Sequence, residues 1–207
     1  MERLQPLKSK LAIEGISVLD LLRLGVDITC ALEECEKQGV IHRDIKPENL
    51  FFDSVTGSFK LGDFGISCYL SRPTEGKGLP GTLTHMSPQV YRGEPFSYGD
   101  DLYALGMILY KLLNDNRIPF LPTYPHPFTP AQRDQALGIR LDGAMIPPPS
   151  IMDAQAGENH PTLLIGADSI FLAKSLASVA MRAISPDASE RFSSAAEFRR
   201  ELSRLMN

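Results

Sequence analysis

The sequence predicts a mainly α-helical domain with a small β element, and three observations carry that expectation. Four stretches place apolar residues at helical spacing, two of them behind recognisable N-caps. β-favouring residues gather in short runs between residues 40 and 62. The 207-residue chain, 43% hydrophobic and 22% charged with a mean hydropathy of -0.09, has the composition of an ordinary globular protein able to bury one core.

The first helix opens at Ser17, with Asp20 three residues on. It then sets Leu21, Gly25, Ile28, Leu32 and Cys35 on one face and ends at Gly39, a residue suited to the left-handed turn after a helix. Val40 to Ile41, Asn49 to Phe52 and Phe59 to Leu61 are too short for helices and read as small strands, punctuated by Asp53, Gly57 and Gly62. A second helix, from about Asp101 to Leu113, is apolar nearly all round, which predicts a buried central position. The third runs from Asp168 to about Ile184, and the fourth from Ser194 to Leu205 behind the capping box Ser194-Ala195-Ala196-Glu197. Pro119 to Pro130 and Pro147 to Pro149 read as stiff loops, and no internal repeat is visible.

Charge and composition exclude several classes. Lys and Arg total 21 against 25 Asp and Glu, a net charge of -4 that supplies no attraction for nucleic acid or anionic lipid. The longest apolar run, Ala104 to Tyr110, is far short of the ~20 residues of a membrane span. Cys30, Cys35 and Cys68 form no CxxC pair and read as small buried hydrophobes of a cytoplasmic protein.

Chemistry concentrates in His42-Arg43-Asp44-Ile45-Lys46-Pro47-Glu48-Asn49, followed after a hairpin-length stretch by Asp63-Phe64-Gly65. Phosphoryl transfer requires hard oxygen ligands for Mg²⁺, and Asn49 and Asp63 are suited to that. It also requires an acceptor for the proton of the attacking hydroxyl, for which Asp44 is the candidate. Lys46 is placed to stabilise charge on the transferred group.

These two segments, in this order and with Asn49 in place, resemble the catalytic loop H-R-D-x-x-x-x-N and the D-F-G motif of eukaryotic-type protein kinases. The resemblance implies an ATP- and Mg²⁺-dependent enzyme phosphorylating protein Ser or Thr. Lys46 marks Ser/Thr specificity, and Phe51 lies under the adenine. Gly81-Thr82-Leu83-Thr84-His85-Met86-Ser87-Pro88-Gln89 looks like the end of an activation segment, with Thr82 the residue that packs by the catalytic aspartate. His85, Ser87 and Gln89 depart from the family's Tyr, Ala and Glu. Gln89 is expected to accept a hydrogen bond from Arg191 where the family has an ion pair. Asp101 matches the aspartate that braces the catalytic-loop backbone, and His42 reads as a packed scaffold residue. Arg43 could meet a phosphorylated Ser67, Ser71 or Thr74, although unmodified surface hydroxyls are the simpler reading of those three. The stretch Leu113 to Pro122 looks especially like bacterial members.

Two lookalikes are set aside. Gly76-Lys77-Gly78-Leu79-Pro80-Gly81 matches G-x-G-x-x-G but follows Asp63 and contains a proline. Leu11-Ala12-Ile13-Glu14 echoes V-A-I-K but ends in Glu.

The resemblance covers one lobe of the kinase fold, a kinase-like large (C-terminal) lobe with the small N-terminal lobe absent. Residues 1–16 form a hinge-like start, 40–62 the catalytic-loop region, 63–89 the activation segment and 90–207 a helical subdomain. The expected partners are a protein substrate and the small lobe or another chain supplying it, without nucleic acid or membrane. Activity of the chain alone is doubtful on this reading. Two alternatives stay open: a non-catalytic, pseudokinase-like interaction module, and a small-molecule phosphotransferase of related fold.

Overall fold

Helix α4, Tyr98–Leu112, is the axis of the molecule. It opens behind a capping box in which Ser97 and Asp100 exchange backbone bonds, and twelve of its fifteen residues are buried. A helix apolar on every face must be covered on every face, and here α2 (Val18–Lys37), α6 (Ile170–Ala183) and α7 (Ala195–Arg204) cover it. The computed structural model describes residues 4–69, 83–122, 128–153, 163–166 and 169–206. Thr82, most of the stretch between Asp63 and His85, the glycine-rich lookalike at 76–81 and the expected helix start at Asp168 lie outside the described residues.

The α4–α6 approach depends on small residues. Ala173, Ala177, Ala180 and Ala183 line the buried face of α6, and a Cβ on Gly106 of α4 would stand 2.6 Å from the Ala183 Cβ. Helix α2 is capped as expected. The Ser17 Oγ accepts the Asp20 N–H at 3.0 Å, and Gly39, at φ +72°, turns the chain out of the helix. For α7, the Ser194 Oγ accepts the Glu197 N–H at 3.2 Å, but the Glu197 carboxylate reaches back to the Ser193 N–H instead, so the box is offset by one residue.

Among the described residues, three small sheets frame the helices. β1 (Leu4–Pro6), β4 (Leu50–Asp53) and β5 (Ser58–Leu61) form an antiparallel sheet in the order β1-β4-β5. β2 (Ile16–Ser17) pairs in parallel with β7 (Leu163–Leu164), and β3 (Val40–Ile41) antiparallel with β6 (Cys68–Tyr69). Besides α3 (Pro88–Tyr91), two helices are additions to the sequence expectation. Helix α1 (Leu7–Ile13) holds three residues of the V-A-I-K lookalike, and α5 (Pro130–Leu141) starts where only a stiff loop was expected. Helix α5 has its own signal in Thr129-Pro130-Ala131-Gln132, a capping box with proline at the first helical position. None of the described helices is long and apolar enough to cross a membrane.

Candidate active site

The site is built on the loop between β3 and β4. After Ile41 the chain enters an irregular stretch, closes a 3₁₀ turn over Pro47–Asn49 with the Asn49 N–H on the Lys46 carbonyl at 3.0 Å, and enters β4. Arg43 sits at φ +72°, a left-handed conformation that costs a non-glycine residue roughly 1–3 kcal/mol unless its surroundings enforce it. The enforcement comes from Asp101, buried at the start of α4. One carboxylate oxygen accepts the His42 N–H at 2.7 Å and the other the Arg43 N–H at 2.8 Å. Burial pushes the Asp101 carboxyl up to about 7, against the pull of these two N–H donors.

His42 is the second brace. Its ring is buried, its Nδ1 accepts the Asp44 N–H at 3.3 Å, and its Nε2 lies 3.1 Å from the Gly62 carbonyl. That pattern requires the neutral tautomer with the proton on Nε2, and burial lowers the pKa in agreement. Phe64 packs edge-on against the same ring with centroids 4.7 Å apart. His42 therefore joins the loop to the residue preceding Asp63, the scaffold role expected of it.

Three of the expected site residues meet directly. The Lys46 ammonium lies 2.6 Å from Asp44 Oδ2, and the Asn49 amide donates to the same oxygen at 3.0 Å and to the Asp44 carbonyl at 2.8 Å. Asp44 Oδ1 has no hydrogen-bond partner among the described residues. Asp63 joins through the β4–β5 hairpin, whose register sets Leu50 opposite Leu61 and lets the Gly62 N–H donate to the Asn49 carbonyl at 2.9 Å. Asp63 follows at φ +59°, exposed, with one carboxylate oxygen accepting the Gly65 N–H at 3.2 Å. Phe51 lies on β4 with its ring against Gly62, where a Cβ would stand 2.8 Å from it. The sequence read Gly62 only as the punctuation after a strand; its close approach to Phe51 and its bond to Asn49 were not foreseen.

The oxygen donors suit a hard divalent cation. The side-chain oxygen of Asn49 and the second carboxylate oxygen of Asp63 have no protein partner among the described residues. Those residues contain no cluster of three or more His, Cys, Asp or Glu groups able to enclose a metal. Mg²⁺ is commonly held by one or two protein oxygens with the remainder from phosphates and water, so this sparse set fits it better than it fits a closed structural site.

The end of the activation-segment-like stretch is locked to the helices. Arg191 donates to Gln89 Oε1 at 2.7 Å, and the Gln89 amide donates to the Pro186 carbonyl at 3.0 Å, so glutamine supports the contact expected at this position. Ser87 caps α3 through the Val90 N–H and donates to Asp100 at 2.6 Å. Arg140 of α5, fully buried, donates to the carbonyls of Leu83 and Met86 and to the Tyr103 hydroxyl at 2.6, 2.7 and 2.8 Å. Neither Arg140 nor Asp100 was found from sequence. Asp100 had a signal in its Ser97-x-x-Asp box; Arg140, isolated in a segment after several prolines, had none.

Comparison with known proteins agrees with this geometry. The chain is 30% identical over 210 residues to the probable serine/threonine-protein kinase PknB of Bifidobacterium longum, a match covering 98% of this chain and 26% of that protein. It is 30% identical over 138 residues to the serine/threonine-protein kinase PknB of Mycobacterium leprae, covering 60% of this chain and 22% of that one. It is 37% identical over 98 residues to the serine/threonine/tyrosine-protein kinase HT1 of Arabidopsis thaliana, covering 47% and 25%. The matches thus span about a quarter of the length of each of these relatives. The family model of the protein kinase domain matches residues 8–198, and with the braced loop and the Asp63 turn in place the chain belongs to the protein kinase domain family.

Proposed function

We propose that the chain carries the catalytic half of a serine/threonine protein kinase, transferring the γ-phosphoryl group of ATP to a protein Ser or Thr hydroxyl. The observation that carries this reading is the state of Asp44, with one carboxylate oxygen held by Lys46 and Asn49 and the other without a partner among the described residues. A carboxylate oriented in this way can accept the hydroxyl proton on Oδ1 as the substrate oxygen attacks phosphorus, a role worth typically ~10² to 10⁴ in rate. The Lys46 ammonium stands beside it, where charge on the transferred group is to be balanced.

Asn49 and Asp63 would hold Mg²⁺, which when bound neutralises phosphate charge. Phe51, fixed against Gly62, offers an apolar surface for the adenine. Thr82 is proposed to pack by Asp44 when protein substrate is bound. The similarity to the two PknB proteins and to HT1 supports a protein substrate, and Lys46 supports Ser or Thr as the acceptor.

Incubation of the chain with γ-labelled ATP, Mg²⁺ and a Ser/Thr-containing protein, followed by phosphoamino-acid analysis, tests this. Label on Ser or Thr that falls at least 100-fold in Asp44→Asn is expected. Label on tyrosine only, on a small molecule only, or at a rate that Asp44→Asn leaves unchanged contradicts it.

A further inference from the structure

His85 stands where the family carries tyrosine, and the structure gives it an unusual setting. The ring is buried at 6% exposure, and neither ring nitrogen has a hydrogen-bond partner among the described residues. A buried neutral imidazole has one donor and one acceptor to satisfy, and leaving them bare is costly. The ring lines a partly open pocket of about 20 Å³ between the catalytic loop, the end of the activation-segment-like stretch and the start of α4. Arg43, Asp44, Ser87, Asp100 and Asp101 supply its polar lining, and Ile45, Met86, Phe96 and Ala104 the apolar remainder.

A pocket of that volume has room for one water molecule, which needs two to four polar partners, and the two unpartnered His85 ring nitrogens are the first candidates. Most other polar atoms around the cavity are already engaged. Asp101 holds the His42 and Arg43 N–H groups, and Asp100 accepts from Ser87 and from both the N–H and the hydroxyl of Ser97. His85 is therefore the wall residue with the most to gain from a guest.

We propose that this cavity is a one-water site and that His85, through that water, is a positioning residue. It ties residues 85–87 to the Arg43–Ile45 backbone and so fixes the orientation of Asp44. The role assigned to Asp44 rests on the kinase reading above; the water site does not. Burial holds the His85 pKa at about 3, so the ring stays neutral and keeps both hydrogen-bonding functions at physiological pH. Lys111, Arg140 and Lys46 act on the ring in the same direction.

The test uses the full chain with ¹⁵N-labelled histidine rings. The unmodified protein is expected to show a magnetisation-transfer peak between a long-lived water and the His85 ring, lost in His85→Leu. That variant is also expected to shift the Asp44 carboxyl ¹³C resonance and to lower kcat of phosphotransfer roughly tenfold with the KM for Mg·ATP unchanged. His85→Gln, which keeps a donor and an acceptor, is expected to recover most of the rate. A dry cavity in the unmodified protein, or an Asp44 resonance indifferent to His85→Leu, overturns the proposal. If the unmodified chain transfers no phosphate while the water peak and the Asp44 shift are both seen, the kinase reading fails and the positioning site stands.

Discussion

Replacing Arg140 with methionine removes a guanidinium that makes three hydrogen bonds of 2.6 to 2.8 Å from a fully buried position, while keeping much of the side-chain volume. Bonds from a charged donor are worth about 1.5–3 kcal/mol each, and an acceptor left bare in the interior costs about 1–3 kcal/mol. The Leu83 carbonyl is only part-buried and can turn to water, whereas the Met86 carbonyl and the Tyr103 hydroxyl are enclosed with Arg140. Relief from burying a cation returns part of the loss. The net expectation is about 3–5 kcal/mol, a large share of the ~5–15 kcal/mol that stabilises a typical domain. At roughly 2–4 °C per kcal/mol for a chain of this size, the melting temperature falls by about 6–20 °C. Circular dichroism gives the midpoint, and hydrogen exchange at residues 83–87 shows whether the loss is local. Arg140→Lys is expected to fall between the two, since one ammonium cannot reproduce the fork. A midpoint within 2 °C of the unmodified protein, with exchange at 83–87 unchanged, would refute the claim that Arg140 clamps this segment.

Two buried groups give pH dependences of opposite sign. Asp101, raised to about 7 by burial, contributes stability that is full below pH 3.8 and is lost as pH rises through 7, so Asp101→Asn should flatten the fall in urea midpoint between pH 4 and 8. His85, depressed to about 3, contributes stability that is full above pH 6.5 and is lost as pH falls toward 3, so His85→Leu should flatten the acid limb. Gly106→Ala places a methyl 2.6 Å from the Ala183 Cβ and 3.0 Å from Ile184 Cγ2, and should cost about 1–3 kcal/mol in chemical denaturation despite alanine's better helix propensity. Gln89→Ala loses the bonds to Arg191 and Pro186 and should cost about 2 kcal/mol, whereas Gln89→Glu should stay within about 1 kcal/mol because the carboxylate strengthens the first contact and loses the second.

Local signals in the sequence carried much of this architecture. Ser17 and Gly39 bounded α2 because a cap and a left-handed exit act within a few residues of the helix end. The all-round apolarity of residues 102–112 placed α4 at the centre because no solvated face was available to it. The cluster of Asp44, Lys46 and Asn49 was legible because all three lie within one short loop. Contacts fixed by distant partners were harder to find. Gln89–Arg191, 102 positions apart, was legible only through the family resemblance; Arg140, which acts on carbonyls 54 and 57 positions away, had no such guide. Strand β1 was missed because Leu4–Pro6 has too little pattern of its own and becomes a strand by pairing with β4. Prolines before α5 read as loop, although Pro130 is the first residue of that helix.

Calorimetric titration of Mg·ATP into the chain and into Asp63→Asn tests the central claim most directly. The account predicts weak, saturable, Mg²⁺-dependent binding to the unmodified chain, abolished in Asp63→Asn. Equal heats from the two proteins, or none from either, would contradict it.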